Sequence, residues 1–161
     1  MELVILVGLQ ASGKTSFYRE RLAATHAHVS KDNFRSNPRP ARRQRRLIAE
    51  AFAAGRSVVV DDTNPTAADR AELVALGRVF GAAVVGYYFP PDLAGSLTRN
   101  AGREGRARVP DEAVRIAARR LEPPTPAEGY DRLYEVRPVE GCGFVVQKDT
   151  VEDSEDVNLP T

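Results

Sequence analysis

The segment Gly8-Leu9-Gln10-Ala11-Ser12-Gly13-Lys14-Thr15 fits the pattern Gly-x-x-x-x-Gly-Lys-[Ser/Thr], in which backbone N–H groups surround bound phosphates. The unbroken apolar run at residues 3–7 predicts a fully buried strand in front of it, and residues 15–24 predict a helix behind it. A glycine-rich turn between such a strand and helix aims N–H groups and the helix N-terminus at one anion. These flanking elements argue against the alternative, a glycine turn with an exposed lysine.

The individual residues of this loop suit a nucleoside triphosphate. Gly8 and Gly13 allow the positive φ angles and the close backbone approach that the loop requires. Lys14 would reach the β- and γ-phosphates, and the Thr15 hydroxyl would hold Mg²⁺. The residues expected to bind the nucleotide here are Gly8, Ala11, Ser12, Gly13, Lys14, Thr15 and Ser16.

Length and composition indicate a single globular domain. The chain has 161 residues, of which 42% are hydrophobic and 28% charged. No apolar stretch is long enough to span a membrane, and no basic leader precedes the first strand, so we expect a cytoplasmic protein. The single cysteine, Cys142, excludes an internal disulfide, and two histidines with one cysteine argue against a structural zinc site.

The net charge of +1 hides an asymmetry. Residues 149–161 contain five acids and no base, so residues 1–148 carry +6. We expect a domain over residues 1–148 and a disordered acidic tail over residues 149–161. The basic body favours a polyanionic ligand, although twenty arginines beside three lysines also fit a bias of genome composition.

Polar residues follow the second and third predicted strands, at residues 27–30 and 57–60. The carboxyl ends of parallel strands form the ligand crevice of such sheets. If a helical turn begins at Asp32, then Asp32 and Arg35 share a face, where the carboxylate could take a hydroxyl proton and the guanidinium could grip a phosphate. An N-cap aspartate with an exposed arginine explains the spacing equally well.

The third strand ends in Asp61-Asp62-Thr63-Asn64-Pro65, before a helix predicted at residues 67–79. These polar groups exceed what a helix cap needs, which favours a functional role. His26 and His28 lie in or beside the second strand. With no carboxylate or cysteine partner nearby in sequence, both are expected to be structural.

Arginines concentrate in two further places. Five of them, Arg39, Arg42, Arg43, Arg45 and Arg46, crowd the start of a helix predicted at residues 41–54. The helix dipole disfavours cations there, so the cluster is either a polyanion-binding face or a solvated one. Residues 102–110 combine two glycines with three arginines, a pattern typical of a mobile lid that closes on phosphates. Helices at 93–101 and 111–121 and strands at 82–89, 133–136 and 144–147 complete the predicted elements.

Together these motifs resemble the P-loop 5′-polynucleotide kinases over residues 3–138. The resemblance is carried by the loop at 8–15, Asp32-Asn33-Phe34-Arg35, Asp61-Asp62-Thr63-Asn64-Pro65, Arg99-Asn100 with Arg103, Val109-Pro110, and Pro124-Thr125-Pro126-Ala127-Glu128-Gly129-Tyr130. It implies an α/β P-loop NTPase (adenylate-kinase-like) three-layer fold with a mainly parallel central sheet and an arginine-rich lid. It also implies a kinase that uses ATP or another NTP with Mg²⁺. The family is often fused to a phosphatase or ligase, and because 161 residues leave no room for either, we expect a stand-alone kinase.

The resemblance implies a role for each matched residue. Lys14 and Thr15 would serve the donor phosphates and magnesium, Asp32 would be the general base on a 5′-hydroxyl, and Arg35 would hold the neighbouring phosphate. Asp62, Thr63, Asn64 and Val109 would contact the acceptor strand. Arg99, Arg103 and Arg106 would bind the donor phosphates, with Arg103 as the catalytic lid arginine. The lid departs from the family pattern by about one residue, so Arg106 could take that role instead.

Two other functions remain open at this point. A small-molecule or tRNA-linked kinase shares the loop and the aspartate after the second strand. A nucleotide-dependent binding module that does not transfer phosphate would share the loop but would not need Asp32. The choice between DNA and RNA, and the oligomeric state, are also open.

Overall fold

The computed structural model describes residues 1–139, 141 and 143–149 of the chain. Over these residues the predicted α/β fold with a mainly parallel central sheet is confirmed. Cys142 and the predicted acidic tail beyond residue 149 lie outside the described residues.

The six-stranded sheet has the order β2-β3-β1-β4-β5-β6. Its strands are β1 (Glu2–Val7), β2 (His26–Val29), β3 (Ser57–Asp61), β4 (Ala83–Tyr88), β5 (Arg132–Pro138) and β6 (Phe144–Lys148). The first five are parallel and β6 is antiparallel to β5. Leu6 of β1 pairs with Asp61 of β3, so the loops that leave these two strands emerge side by side at one edge.

Helices cover both faces of the sheet, which gives the expected three layers. They are α1 (Lys14–Arg21), α2 (Pro40–Ala53), α3 (Ala67–Val79), α4 (Leu93–Ala101) and α5 (Asp111–Arg120). Ile48 of α2 and Leu73 of α3 pack on one face with alternate residues of β1, while Phe17 of α1 packs on the other. Because the side chains of β1 alternate between the faces, this strand is buried on both sides, and residues 3–7 are fully covered.

Most element boundaries agree with the predicted ones to within one residue, and two elements depart further. The first helix ends at Arg21 instead of reaching residue 24, because Leu22 leaves the helical conformation and the N–H groups of Leu22 and Ala23 both bond to the Tyr18 carbonyl. The fifth strand is longer than predicted. It pairs with β4 through Arg132 at one end and with β6 through Pro138 at the other. Along the described residues no helix is long and apolar enough to cross a membrane.

Candidate nucleotide and acceptor site

A cavity of about 930 Å³ opens where β1 and β3 end. It collects most of the predicted site residues, which come from the loop after β1, the turn after β2, the loop after β3 and the lid. Those that line it are Ala11, Ser12, Lys14, Thr15, Ser16, Asp32, Arg35, Asp62, Thr63, Asn64, Arg103, Arg106 and Val109. Three predicted site residues do not line the cavity and instead determine the conformation of the phosphate-binding loop (residues 8–15); they are Gly8, Gly13 and Arg99.

The backbone of the phosphate-binding loop is bent into conformations that glycine tolerates best. Gly13 has φ 98°, and Ala11, although not a glycine, has φ 58°. A Cβ on Gly8 would lie 2.9 Å from the Cβ of Phe89 and 3.0 Å from Ser12 Oγ, so no other residue fits without a shift of the loop. A left-handed alanine costs free energy, of order 1 kcal/mol, and such strain is concentrated at ligand sites.

Lys14 is buried within this loop. Its Nζ donates hydrogen bonds to the carbonyl oxygens of Gly8 (2.9 Å) and Leu9 (2.6 Å). Burial lowers the pKa of Lys14 to about 8, and the neighbouring Asp61 and Asp62 carboxylates oppose that shift. The ammonium group is therefore short of solvation, and an anionic ligand would restore favourable electrostatics around it.

Asp61 is the residue that ties the loop to β3. Its Oδ2 accepts a hydrogen bond of 2.7 Å from Thr15 Oγ1 and lies 2.8 Å from His28 Nε2. Burial alone would raise the pKa of Asp61. The hydrogen bonds from His28 and Thr15 and the charge of Lys14 outweigh it and hold the pKa below its usual value. The carboxylate is thus held ionised beside the hydroxyl.

The donor set at this point fits magnesium. Thr15 and Asp61 offer a hydroxyl and a carboxylate oxygen, which are hard ligands. Among the described residues no three or more His, Cys, Asp or Glu side chains form a metal cage. Mg²⁺ in kinase sites needs none, because it takes one or two protein ligands together with phosphate oxygens and water.

Sequence reasoning gave Asp61 no role beyond its membership of the 61–65 motif, and it did not identify His28 as part of the site. It assigned a ligand contact to Asp62, whereas Asp61, the last residue of β3, is the one that bonds to Thr15. It also treated both histidines as structural. His26 fits that interpretation, since its Nε2 lies 2.9 Å from Glu2 Oε2. His28, however, contacts the site through Asp61, a partner supplied by the neighbouring strand.

The Asp32–Arg35 pair also lines the cavity. A short 3₁₀ turn, Lys31–Phe34, carries Asp32, and Arg35 follows it. Arg35 Nη2 lies 3.2 Å from Asp32 Oδ1, with the two side chains 41% and 71% exposed. Ser30 caps the turn by accepting the Asp32 N–H, so the alternative of Asp32 as the N-cap is wrong. The carboxylate is left accessible from the cavity.

Asp62 holds this turn in place. Its Oδ1 accepts the Lys31 N–H at 3.0 Å, and its Oδ2 accepts a hydrogen bond from Gln44 of α2. Burial raises the pKa of Asp62, against the hydrogen bonds from Lys31 and Gln44. Asp62 lines the cavity, as predicted, but both of its oxygens are already engaged in connecting β3 with the turn and α2.

The loop after Asp62 is supported from beneath by a buried ion pair. Asn64 donates from Nδ2 to the Leu6 carbonyl at 2.7 Å, and the backbone carbonyl of Asn64 accepts a hydrogen bond from Arg70 Nη1 at 2.9 Å. Arg70 has 0% side-chain exposure and meets Glu128 through two hydrogen bonds of 2.7 and 3.2 Å. Glu128 belongs to the 124–130 motif, so this motif acts in the fold by supporting the wall of the site.

The lid is anchored at its base. Asn100, which is fully buried, donates from Nδ2 to the Val109 carbonyl (2.7 Å) and accepts the Val109 N–H (3.1 Å). Arg99 Nε donates to the Ala11 carbonyl in the phosphate-binding loop at 2.6 Å. Between these anchors both Arg103 and Arg106 line the cavity, so either lid arginine can face a ligand.

Comparison with known proteins supports this architecture. The AAA domain family matches residues 3–124. A chain of the Pnkp1/Rnl/Hen1 RNA repair complex is similar to this one with a TM-score of 0.64 and 20% identity, over 74% of this chain and 43% of that one. The protein thus spans less than half the length of that chain.

Two other structures are similar over most of both chains. Kti12 of Chaetomium thermophilum, solved with ADP-AlF3, gives a TM-score of 0.65 at 17% identity and covers 84% of this chain and 88% of that one. A sugar kinase from a Janibacter species gives 0.63 at 18% identity and covers 84% and 85%. At these identities the likeness is one of fold. Because the family match extends over most of the chain, the protein belongs to the AAA domain family, with the fold of the P-loop kinases.

Proposed function

We propose that the protein transfers the γ-phosphate of ATP, or of another NTP, to the 5′-hydroxyl of a nucleic-acid end. The observation that carries the proposal is that two sets of polar side chains line one cavity. Lys14, Thr15 and Asp61 form a donor side, and the exposed Asp32–Arg35 pair forms an acceptor side. Similarity to a chain of the Pnkp1/Rnl/Hen1 RNA repair complex supports a nucleic-acid acceptor, and similarity to Kti12, solved with ADP-AlF3, supports a nucleotide donor.

In this mechanism Asp32 accepts the proton of the acceptor hydroxyl. The hydroxyl oxygen then forms a bond to the γ-phosphorus while the bond from that phosphorus to the bridging oxygen breaks, and ADP leaves with the electron pair. Lys14 and a lid arginine, Arg103 or Arg106, offset the charge on the transferred group. Thr15 and Asp61 would hold Mg²⁺, which supplies further charge neutralisation. Phosphoryl transfer depends mainly on such positioning and electrostatics.

Arg35 selects the acceptor in this proposal. A guanidinium binds a phosphate through two parallel hydrogen bonds, and Arg35 lies beside the general base. An acceptor with a phosphate next to its hydroxyl, such as a nucleic-acid 5′ end, would therefore be aligned with Asp32. A small hydroxyl acceptor is the second candidate, since the sugar kinase matches at 84% of this chain and 85% of its own.

The test is transfer of label from γ-labelled ATP to a short 5′-hydroxyl oligonucleotide in the presence of Mg²⁺. The Asp32→Asn protein is the critical variant, and Glu72→Gln, an exposed carboxylate on α3, is the matched control. We expect label on the oligonucleotide with wild type and with Glu72→Gln, and a loss of at least about 10²-fold with Asp32→Asn, which should still bind ATP. Unchanged turnover in Asp32→Asn, or label only on small hydroxyl acceptors, would overturn the proposal.

A further inference from the structure

A second concave surface lies beside the acceptor side of the cavity. Its volume is about 280 Å³, and we call it the arginine groove; its lining residues are Asn37, Pro38, Arg39, Arg42, Arg43 and Arg46. Pro40 begins α2, and Arg39, Arg42 or Arg43, and Arg46 follow one another at intervals of three or four residues. Side chains at this spacing lie on one face of a helix, which brings the guanidinium groups together.

The charges in the arginine groove are poorly balanced. Arg46 is partnered by Glu50 at 2.9 Å on the exposed surface of α2. Within the described part of the chain, no ion pair is formed by Arg39, Arg42 or Arg43. The first turn of α2 also contains no acid. Like charges at this spacing repel, and the helix dipole adds to the positive potential. The cluster therefore works against helix stability, and a polyanion would relieve the repulsion.

The arginine groove is held in a defined position relative to Arg35. The Asn37 N–H bonds to the Phe34 carbonyl at 2.9 Å, which continues the chain directly from the turn that carries Asp32. Gln44 of α2 donates to Asp62, whose other oxygen accepts the Lys31 N–H. The turn and α2 are thus joined through one carboxylate. The four residue steps from Arg35 to Arg39 span at most about 14 Å, the length of a fully extended chain.

We propose that the arginine groove binds the sugar-phosphate backbone of a single-stranded acceptor beyond the phosphate held by Arg35. This inference rests on the proposed function and gives it a substrate class, a single strand several nucleotides long. A distance of at most about 14 Å corresponds to at most roughly four nucleotides at the 3.4 Å spacing of a stacked strand. The six lining residues include no aromatic side chain on which a base could stack, so the proposed contacts are made to phosphates, which carry no sequence information.

The experiment compares two charge-matched variants. The groove variant is Arg39→Gln, Arg42→Gln and Arg43→Gln together. The control variant is Arg56→Gln, Arg115→Gln and Arg119→Gln together, which removes the same charge from exposed positions that do not line the catalytic cavity or the arginine groove. Glutamine favours helix nearly as well as arginine, so both variants should fold, and circular dichroism with thermal melting checks this.

Two quantities are measured with the full chain. Fluorescence anisotropy at several salt concentrations gives the affinity for a 3′-labelled, 5′-hydroxyl single strand of twelve nucleotides. Steady-state kinetics gives KM for the same strand and for a nucleoside 3′-monophosphate. We expect the groove variant to raise Kd and KM for the long strand at least about tenfold. The slope of log affinity against log salt should become shallower by about 2, since each phosphate contact on a single strand contributes about 0.7. KM for the nucleoside 3′-monophosphate should be unchanged.

The outcomes separate this inference from the function on which it rests. If both acceptors are phosphorylated and neither strand length nor the groove variant has an effect, the proposal for the arginine groove is wrong and the proposed kinase activity stands. If the strand binds in a groove-dependent way but no phosphate is transferred, the proposed kinase activity is wrong and the proposal for the arginine groove stands. An equal loss in the control variant would show a general charge effect and overturn the groove. Displacement of the strand by poly-glutamate at an equal concentration of charge would assign the surface to an acidic protein instead, and would also overturn it.

Discussion

The donor side and the acceptor side of the cavity are built in opposite ways. Lys14 and Asp61 are 7% and 5% exposed, and each makes hydrogen bonds to other parts of the protein. The Asp32 and Arg35 side chains are 71% and 41% exposed, and among the residues that the structure describes they form an ion pair only with one another. Buried polar groups have to be satisfied within the fold, so the donor side is already organised without a ligand. The acceptor side depends on its ligand for partners.

The arginines of the protein show the same contrast. Arg70 is fully buried and uses three of its N–H groups on Glu128 and on the Asn64 carbonyl. Arg103 and Arg106 instead line the cavity from the lid, and Arg103 makes one hydrogen bond of 3.2 Å to the Ala107 carbonyl. A buried arginine that is hydrogen-bonded within the protein supports the fold, whereas an exposed one is available to an anion and is screened by salt. Substitutions of buried and of exposed charged residues should therefore differ in the property that they affect as well as in the size of the effect.

The largest effect is expected for Lys14→Ala. Removal of the ammonium takes away a positive charge from the donor phosphates and leaves the Gly8 and Leu9 carbonyls without their donor. We expect kcat/KM to fall by at least about 10³-fold, with weaker nucleotide binding by calorimetry. Lys148→Ala, on β6, is the control. Near-normal activity of Lys14→Ala would mean that the donor side is not catalytic.

Next in size is the effect of Glu128→Ala on stability. It would leave Arg70 buried and unpaired, and breaking a buried pair in this way costs about 3–5 kcal/mol of unfolding free energy. Urea denaturation measures the change. Glu112→Ala removes one partner of an exposed pair with Arg119 and should change stability by less than about 1 kcal/mol. Equal losses in the two variants would abolish the distinction between buried and exposed arginines.

A smaller effect is expected from pH on nucleotide binding. Burial lowers the pKa of Lys14 to about 8 in the free protein, and a bound triphosphate should raise it again. Above pH 8 the free protein has lost this proton and must regain it on binding. Affinity should therefore fall as pH rises, by about 15-fold between pH 8 and 9.5. Calorimetry in two buffers of different ionisation enthalpy should detect proton uptake at pH 8.5. A nucleotide affinity that stays constant up to pH 9.5 would contradict the lowered pKa of Lys14. In the Lys14→Ala variant the affinity should not show this pH dependence.

The smallest effect is expected for His28→Ala. His28 orients Asp61, and loss of such a supporting hydrogen bond weakens metal binding by about tenfold, with activity retained at high Mg²⁺. Magnesium titration of fluorescent-nucleotide binding gives the half-saturating concentration. His26→Gln, in the same strand but paired with Glu2, should leave it unchanged. A similar shift in both variants would point to a general effect on β2.

Much of the secondary structure could be predicted because its signals are local. The helices α3 and α4 begin and end as predicted, since Thr66 accepts the Asp69 N–H and Asp92 accepts the Gly95 N–H at their starts. The end of α1 was not predicted, because Leu22 stops the helix without a glycine or a proline. The chain has to turn at this point to enter β2, and the local residue pattern does not indicate such a turn.

The sequence alone determined the phosphate-binding loop, its place between a buried strand and a helix, and the positions of Asp32 and Arg35 in one helical turn. Each of these depends on residues a few positions apart, where backbone geometry translates spacing directly into proximity. Only the tertiary structure decided the partners of the buried charges. Asp61 meets Thr15 across 46 residues and His28 across 33, and Arg70 meets Glu128 across 58. Such pairs depend on the order and register of the strands, which bring distant residues to one edge of the sheet.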